Sequence, residues 1–226
     1  MGRLWFLLAF TLLFSFPALA QNDQFLPEID AYFRGNSQFR YYFQARQTRE
    51  GGEPTQAELG PTGEFYLKPW IHLRGATESD LDEAKKRALV FAVGYRYLPS
   101  PSAPTTNRLR LDLTSHIPLK AKILITDRNR TDLDWQNRNF DWRYRNRLTA
   151  EKSFAIGSFV VRPYVAIEPF YESKYQKWST TALYAGSIFP VHRHVQFDAY
   201  YEHQNNTGKS PNQLLNQLGL TMDLYF

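Results

Sequence analysis

Cysteine is absent from the 226 residues. That excludes disulfides, thiolate metal sites and a lipid anchor on a processed N-terminal cysteine. Long apolar runs are scarce too. The only one, residues 4–16, is shorter than the roughly 20 residues a membrane-spanning helix needs. Charge of one sign is also missing: 27 Lys and Arg are interleaved with 22 Asp and Glu, for a net +5. A nucleic-acid-binding surface would need a basic patch free of carboxylates, so no nucleic-acid partner is expected.

What the chain does have begins with an export signal. Arg3 supplies the positive region, residues 4–16 the apolar region, and Ala18-Leu19-Ala20 a small-residue cleavage site. Residues 1–20 are therefore read as a signal peptide and 21–226 as one domain beginning at Gln21. Losing Arg3 lowers the net charge from +5 to +4.

Aromatic residues are abundant, with 14 Tyr and 17 Phe, and they alternate with charge. Along 140–151, Asp141, Arg143, Arg145, Arg147, Thr149 and Glu151 share one parity. Phe140, Trp142, Tyr144, Leu148 and Ala150 share the other. A period of two puts the two sets on opposite faces of a strand, whereas a helix would scatter them around its circumference. The same alternation runs through 39–46, 89–97, 108–117, 159–172 and 195–204. The last segment, 213–226, places Leu214, Leu218, Leu220, Met222, Leu224 and the terminal Phe226 on one face.

Strands this regular predict an all-β fold, an antiparallel transmembrane β-barrel of about 12 strands, with 10 as the alternative. Even numbers are usual for bacterial barrels, and a terminal strand closing on the first leaves no edge. Residues 21–27 are expected to be a lead and 47–61 an exposed loop. Connections near Gly52, Pro101, Asn137 and Asn206 are expected to be long, and those near Pro118, Lys152 and Pro190 short. One short connector helix is expected over 76–87, with Thr77 or Ser79 as its cap, acids early and Lys85, Lys86 and Arg87 late.

Charges on a lipid face cost about 2–4 kcal/mol each near the midplane, so the charged parity must face the lumen. The expected lumen network comprises Arg110, Asp112, Arg128, Arg130, Asp141, Arg143, Arg145, Arg147, Glu151, Arg162, Glu168 and Glu202. It reads either as paired ions filling a narrow barrel or as a track for small anionic solutes. Asp132 and Asp134 are expected to be solvated loop carboxylates. Trp70, Trp135, Trp142 and Trp178 suit girdle positions at strand ends.

No catalytic, cofactor or metal site emerges. None of the histidines has Ser two residues on, the spacing that would bring base and nucleophile onto one strand face. Ser115 and His116 are adjacent and should point to opposite faces. His192-Arg193-His194 sits in a predicted turn without a third ligand.

The run L-I-T-D-R-N-R at 124–130, then W-R-Y-R-N-R at 142–147, with Glu151, Glu168 and Y-E-H-Q-N-N at 201–206, resembles the domain of unknown function 2490 family. The resemblance covers essentially the mature chain. It implies an outer-membrane β-barrel of Gram-negative bacteria and no established activity. The partners expected are outer-membrane lipid, the barrel-assembly machinery and small anionic solutes. A narrow pore or structural barrel without catalysis is therefore the reading. An outer-membrane lipid-modifying hydrolase and a soluble exported ligand-binding β-barrel are its alternatives.

Overall fold

The computed structural model describes residues 23–67, 80–157, 159–208 and 210–226. The expected signal peptide, Gln21, Trp70, Thr77 and Ser79 lie outside them. The chain forms twelve strands: β1 (Asp23–Arg34), β2 (Phe39–Glu50), β3 (Glu53–Tyr66), β4 (Leu89–Leu98), β5 (Thr106–Leu119) and β6 (Ile123–Gln136). β7 (Asn139–Lys152), β8 (Phe154–Ile156), β9 (Phe159–Glu172), β10 (Lys177–His192), β11 (Val195–Asn206) and β12 (Gln213–Tyr225) follow.

Twelve strands form, as expected, but eleven close the ring. β8 extends the line of β7 along the start of β9, pairing Phe154 with Val161, and adds no position of its own. Each turn in an up-and-down ring reverses direction, so an odd ring leaves its first and last strands pointing the same way. β1 and β12 accordingly pair in parallel, with Asp23 opposite Asn216 and Tyr32 opposite Tyr225. The last residue completes the seam: the Phe226 amide donates to the Tyr32 carbonyl at 2.9 Å.

Alternation decides which face each side chain takes, and hydrophobicity is inverted relative to a soluble protein. In β9, Arg162 and Glu168 are 0% exposed, while Val165 is 60% and Ile167 45% exposed. Exposed aliphatic and aromatic side chains wrap the outside, and ionised groups fill the inside. Aromatic pairs gather at both ends of the barrel. Trp135–Phe140, Trp142–Tyr171 and Tyr171–Trp178 lie at one end. Phe33–Phe226, Phe33–Tyr41 and Phe39–Phe65 lie at the other.

Two tyrosines pack flat on the inner wall because glycines leave room. Gly186 faces both Tyr164 and Tyr200, and Gly219 faces Tyr200; a Cβ at either site would collide with a ring.

Several expectations about connections are corrected. Residues 23–27 belong to β1, and the stretch expected as a loop at 47–61 is the end of β2, a tight turn and most of β3. Gly51-Gly52 and Asn137-Arg138 are tight turns at positive φ, which lets the strands reverse within two residues. The longest connection, 67–88, joins β3 to β4 at the other end of the barrel. Of the expected helix, only a short 3₁₀ turn, Glu83–Lys86, is seen among the described residues, capped by Asp82.

Candidate functional site: the ionised barrel interior

β5, β6 and β7 present Arg108, Arg110, Arg128, Arg130, Arg143, Arg145 and Arg147 to a cavity of about 770 Å³. Buried guanidinium groups need carboxylates, and here most of the pairs join different strands. Asp112 accepts from Arg110 at 2.5 Å and from Arg130 at 2.6 Å. Asp134 takes both Nε and Nη2 of Arg108, at 2.6 and 2.9 Å, in a forked pair. Asp132 accepts from Arg143 at 2.9 Å.

Glu168 is the hub. It receives Arg145 at 2.8 Å, Arg147 at 2.8 Å, Arg128 at 3.0 Å and the Tyr184 hydroxyl at 2.8 Å. Arg147 also stacks over the Tyr184 ring at 4.0 Å, and Arg145 over Phe170 at 4.3 Å.

The charge does not balance locally. Asp112 serves Arg110 and Arg130, Glu168 serves Arg128, Arg145 and Arg147, and Asp132 serves Arg143 and lies 3.9 Å from Arg145, so three carboxylates stand against six guanidinium groups.

The opposite wall has the reverse excess. Around the ring, β6 and the β12–β1 seam are diametrically placed. Asp30 and Asp223 are direct partners across that seam, and Asp198 and Glu202 come from the adjacent β11. All four line the cavity. Asp198 accepts the Tyr164 hydroxyl at 3.1 Å, and Asp223 accepts the Gln196 amide at 3.1 Å. Among the described residues, no cationic side chain forms an ion pair with Asp30, Asp198, Glu202 or Asp223.

The connection 80–88 folds inward. Asp82 pairs with Arg40 at 2.7 Å, Lys85 with Glu151 at 2.6 Å, and Asp80 with Arg162 at 3.4 Å. The imidazole of His116 donates to the Arg87 carbonyl at 2.8 Å. Asp82 and Lys85 line the main cavity, while Leu81, Glu83 and Arg87 line a smaller space of about 280 Å³ near Phe226. The segment therefore lies across the barrel between the two spaces.

Burial works against the Asp82 charge, but Arg40, Lys85 and the Ala84 amide outweigh it and hold the carboxyl below its usual value. Burial also opposes the Lys85 charge, and Asp80 and Glu151 reverse it, so the ammonium titrates above its usual range.

Of the expected network, Arg110, Asp112, Arg128, Arg130, Arg143, Arg145, Arg147 and Glu168 come together on one wall. Glu151 and Arg162 hold the inward segment, and Glu202 stands across the cavity. Asp141 is exposed beside the Asn137-Arg138 turn. Asp132 and Asp134, expected in a solvated loop, face inward from β6 as arginine partners.

Sequence reasoning missed Arg96, which is 0% exposed and donates to Gln44, Thr62 and the Pro61 carbonyl. Its strand offers only Val90, Ala92, Gly94 and Leu98 beside it on the inner face, so no charged ladder marked it. Asp80, Asp82 and Lys85 were also missed, because their charge order suits an exposed helix equally well. His116 does face inward and Ser115 outward. His194 donates to the Tyr225 carbonyl at 2.8 Å, and its ring lies 5.9 Å from that of His192.

Among solved structures, the chain is similar to a bacterial polysaccharide outer membrane secretin, with a TM-score of 0.53 at 7% identity. The likeness covers 82% of this chain and 64% of that one, and at this identity it speaks to fold alone. No curated protein sequence matches. The family model described as "Protein of unknown function (DUF2490)" matches residues 27–215. That match spans the barrel from β1 into β12, and the chain belongs to the DUF2490 family.

Proposed function

We propose that the chain is an outer-membrane β-barrel acting as a narrow pore with an arginine-rich lumen. The observation that carries this reading is the inverted hydrophobicity of a closed ring: apolar outside, ionised inside, around a cavity of about 770 Å³. A lipid-facing charge costs about 2–4 kcal/mol near the midplane, so such an inside–outside split is what a bilayer demands. The aromatic pairs at both ends support it as interfacial girdles. The likeness to an outer membrane secretin supports the same location at the level of fold.

A basic wall inside a low-dielectric barrel raises the local concentration of anionic groups, which makes small anionic solutes the favoured cargo. Outer-membrane lipid and the barrel-assembly machinery complete the partners, the latter reading the aromatic C-terminal strand. Nucleic acid has no place in this reading, and neither does a catalytic step. A second reading, a closed structural barrel, is favoured by the inward segment lying across one end.

Conductance of the purified mature protein in planar bilayers tests the proposal. Single-channel steps are expected, and replacing Arg143, Arg145 and Arg147 together by Ala should shift selectivity toward cations. Unchanged selectivity would remove the role of the arginine wall, and no conductance would favour the structural barrel.

A further inference from the structure

The two excesses of charge face each other across one cavity, and neither is cancelled by its own wall. On the basic side, Asp112 and Glu168 are shared among five arginines, and Arg128 Nε and Arg147 Nε are buried with no hydrogen-bond partner. On the acidic side, Asp30 and Asp223 are neighbours across the parallel seam, and Asp30 is 6% exposed. Asp30 Oδ1 has no hydrogen-bond partner either. Two buried carboxyl groups side by side are strongly disfavoured as ions, and among the described residues no side chain forms an ion pair with either, so an arriving cation would stabilise them.

One link between the walls is neutral. Gln44 accepts from Arg96 at 2.7 Å and from Arg110 at 3.3 Å, and its amide donates to Glu28. It relays hydrogen bonds and transfers no charge. An excess of guanidinium groups on the β5–β7 side thus faces an excess of carboxyl groups on the β12–β1 side. A simple anion would satisfy the first wall and be repelled by the second.

We propose that the interior binds a dipolar solute, with its anionic end on Arg128, Arg130 and Arg147 and its cationic end on Asp30 and Asp223. A solute carrying both charges gains at both walls, while a singly charged analogue gains at one. This rests on the reading of the barrel interior as a solute path and names the class of solute.

Oligoglycines from diglycine to pentaglycine separate the two charges by increasing distances. N-acetylation removes the positive end and C-amidation the negative one. Calorimetric titration of the detergent-purified mature protein should show saturable binding of the zwitterion that best spans the cavity. Each capped analogue should bind weaker by about tenfold or more, a difference of about 1.4 kcal/mol.

Asp30→Asn with Asp223→Asn should erase the advantage over the N-acetyl peptide. Arg128→Gln with Arg147→Gln should erase the advantage over the amide. The wild-type comparison stands alone if a variant fails to fold. Zwitterions binding no tighter than the capped peptides, or no binding at all, would overturn the inference. Binding without conductance would keep the site and remove the pore, and conductance without zwitterion preference would do the reverse.

Discussion

Asp30 and Asp223 stand side by side across the seam where the first and last strands of the barrel run in parallel. The seam and the acidic pair have one origin. An odd ring forces β1 to meet β12 in parallel, and the period of two then brings these two carboxylates onto the same inner face.

Glu168 holds Arg128, Arg145 and Arg147 in a fully buried position. Replacing it by Gln leaves Arg128 and Arg147 without their counter-charge and Arg145 with only the more distant Asp132. The expected loss is about 3–5 kcal/mol, the usual cost of breaking a buried ion pair from one side. Denaturant unfolding in detergent, followed by the shift in gel mobility on boiling, reads it out.

Gly219 gives the Tyr200 ring its place on the inner wall. Gly219→Ala forces the ring aside and should cost about 1–3 kcal/mol, as overpacking does. The same substitution at Gly51, where no atom approaches, leaves packing intact and costs only the strain of its positive φ. Comparing the two variants' melting temperatures separates packing from backbone strain.

The inward segment should respond to pH at both extremes. Asp82 titrates below its usual value, so its contribution is present above the unfolded value of about 4 and is lost as pH falls through the folded one. Lys85 titrates above its usual range, so its contribution is present below about 10.4 and is lost as pH rises through the folded value. Proteolysis near the segment should be slow between these limits and faster beyond either. Asp82→Asn should abolish the acid limb alone.

Much of this architecture was legible from alternation. β5 and β7 read clearly because most inner positions carry a charge and most outer ones an apolar side chain. β3 did not, because Gly60, Pro61 and Gly63 interrupt the pattern with residues typical of loops. The odd ring stayed hidden for another reason: bacterial barrels usually have an even number of strands, and that expectation left no place for the parallel seam. The inward segment was illegible for a different reason. Lys85 meets Glu151 across 66 residues of sequence, and local charge order cannot distinguish such a partner from solvent.

The seam is the feature on which the closed barrel, the acidic pair and the opposed walls of the cavity all depend. The chain has no native cysteine, so an engineered pair can be read without background. Ile29 and Met222 are partners across the seam on the outer face, and Ile29 and Ala45 are partners within the first hairpin. Oxidation of Ile29→Cys/Met222→Cys in the membrane-extracted protein should join the first strand to the last, as readily as Ile29→Cys/Ala45→Cys joins the hairpin. A disulfide in the hairpin variant and none across the seam would contradict the closed eleven-stranded barrel.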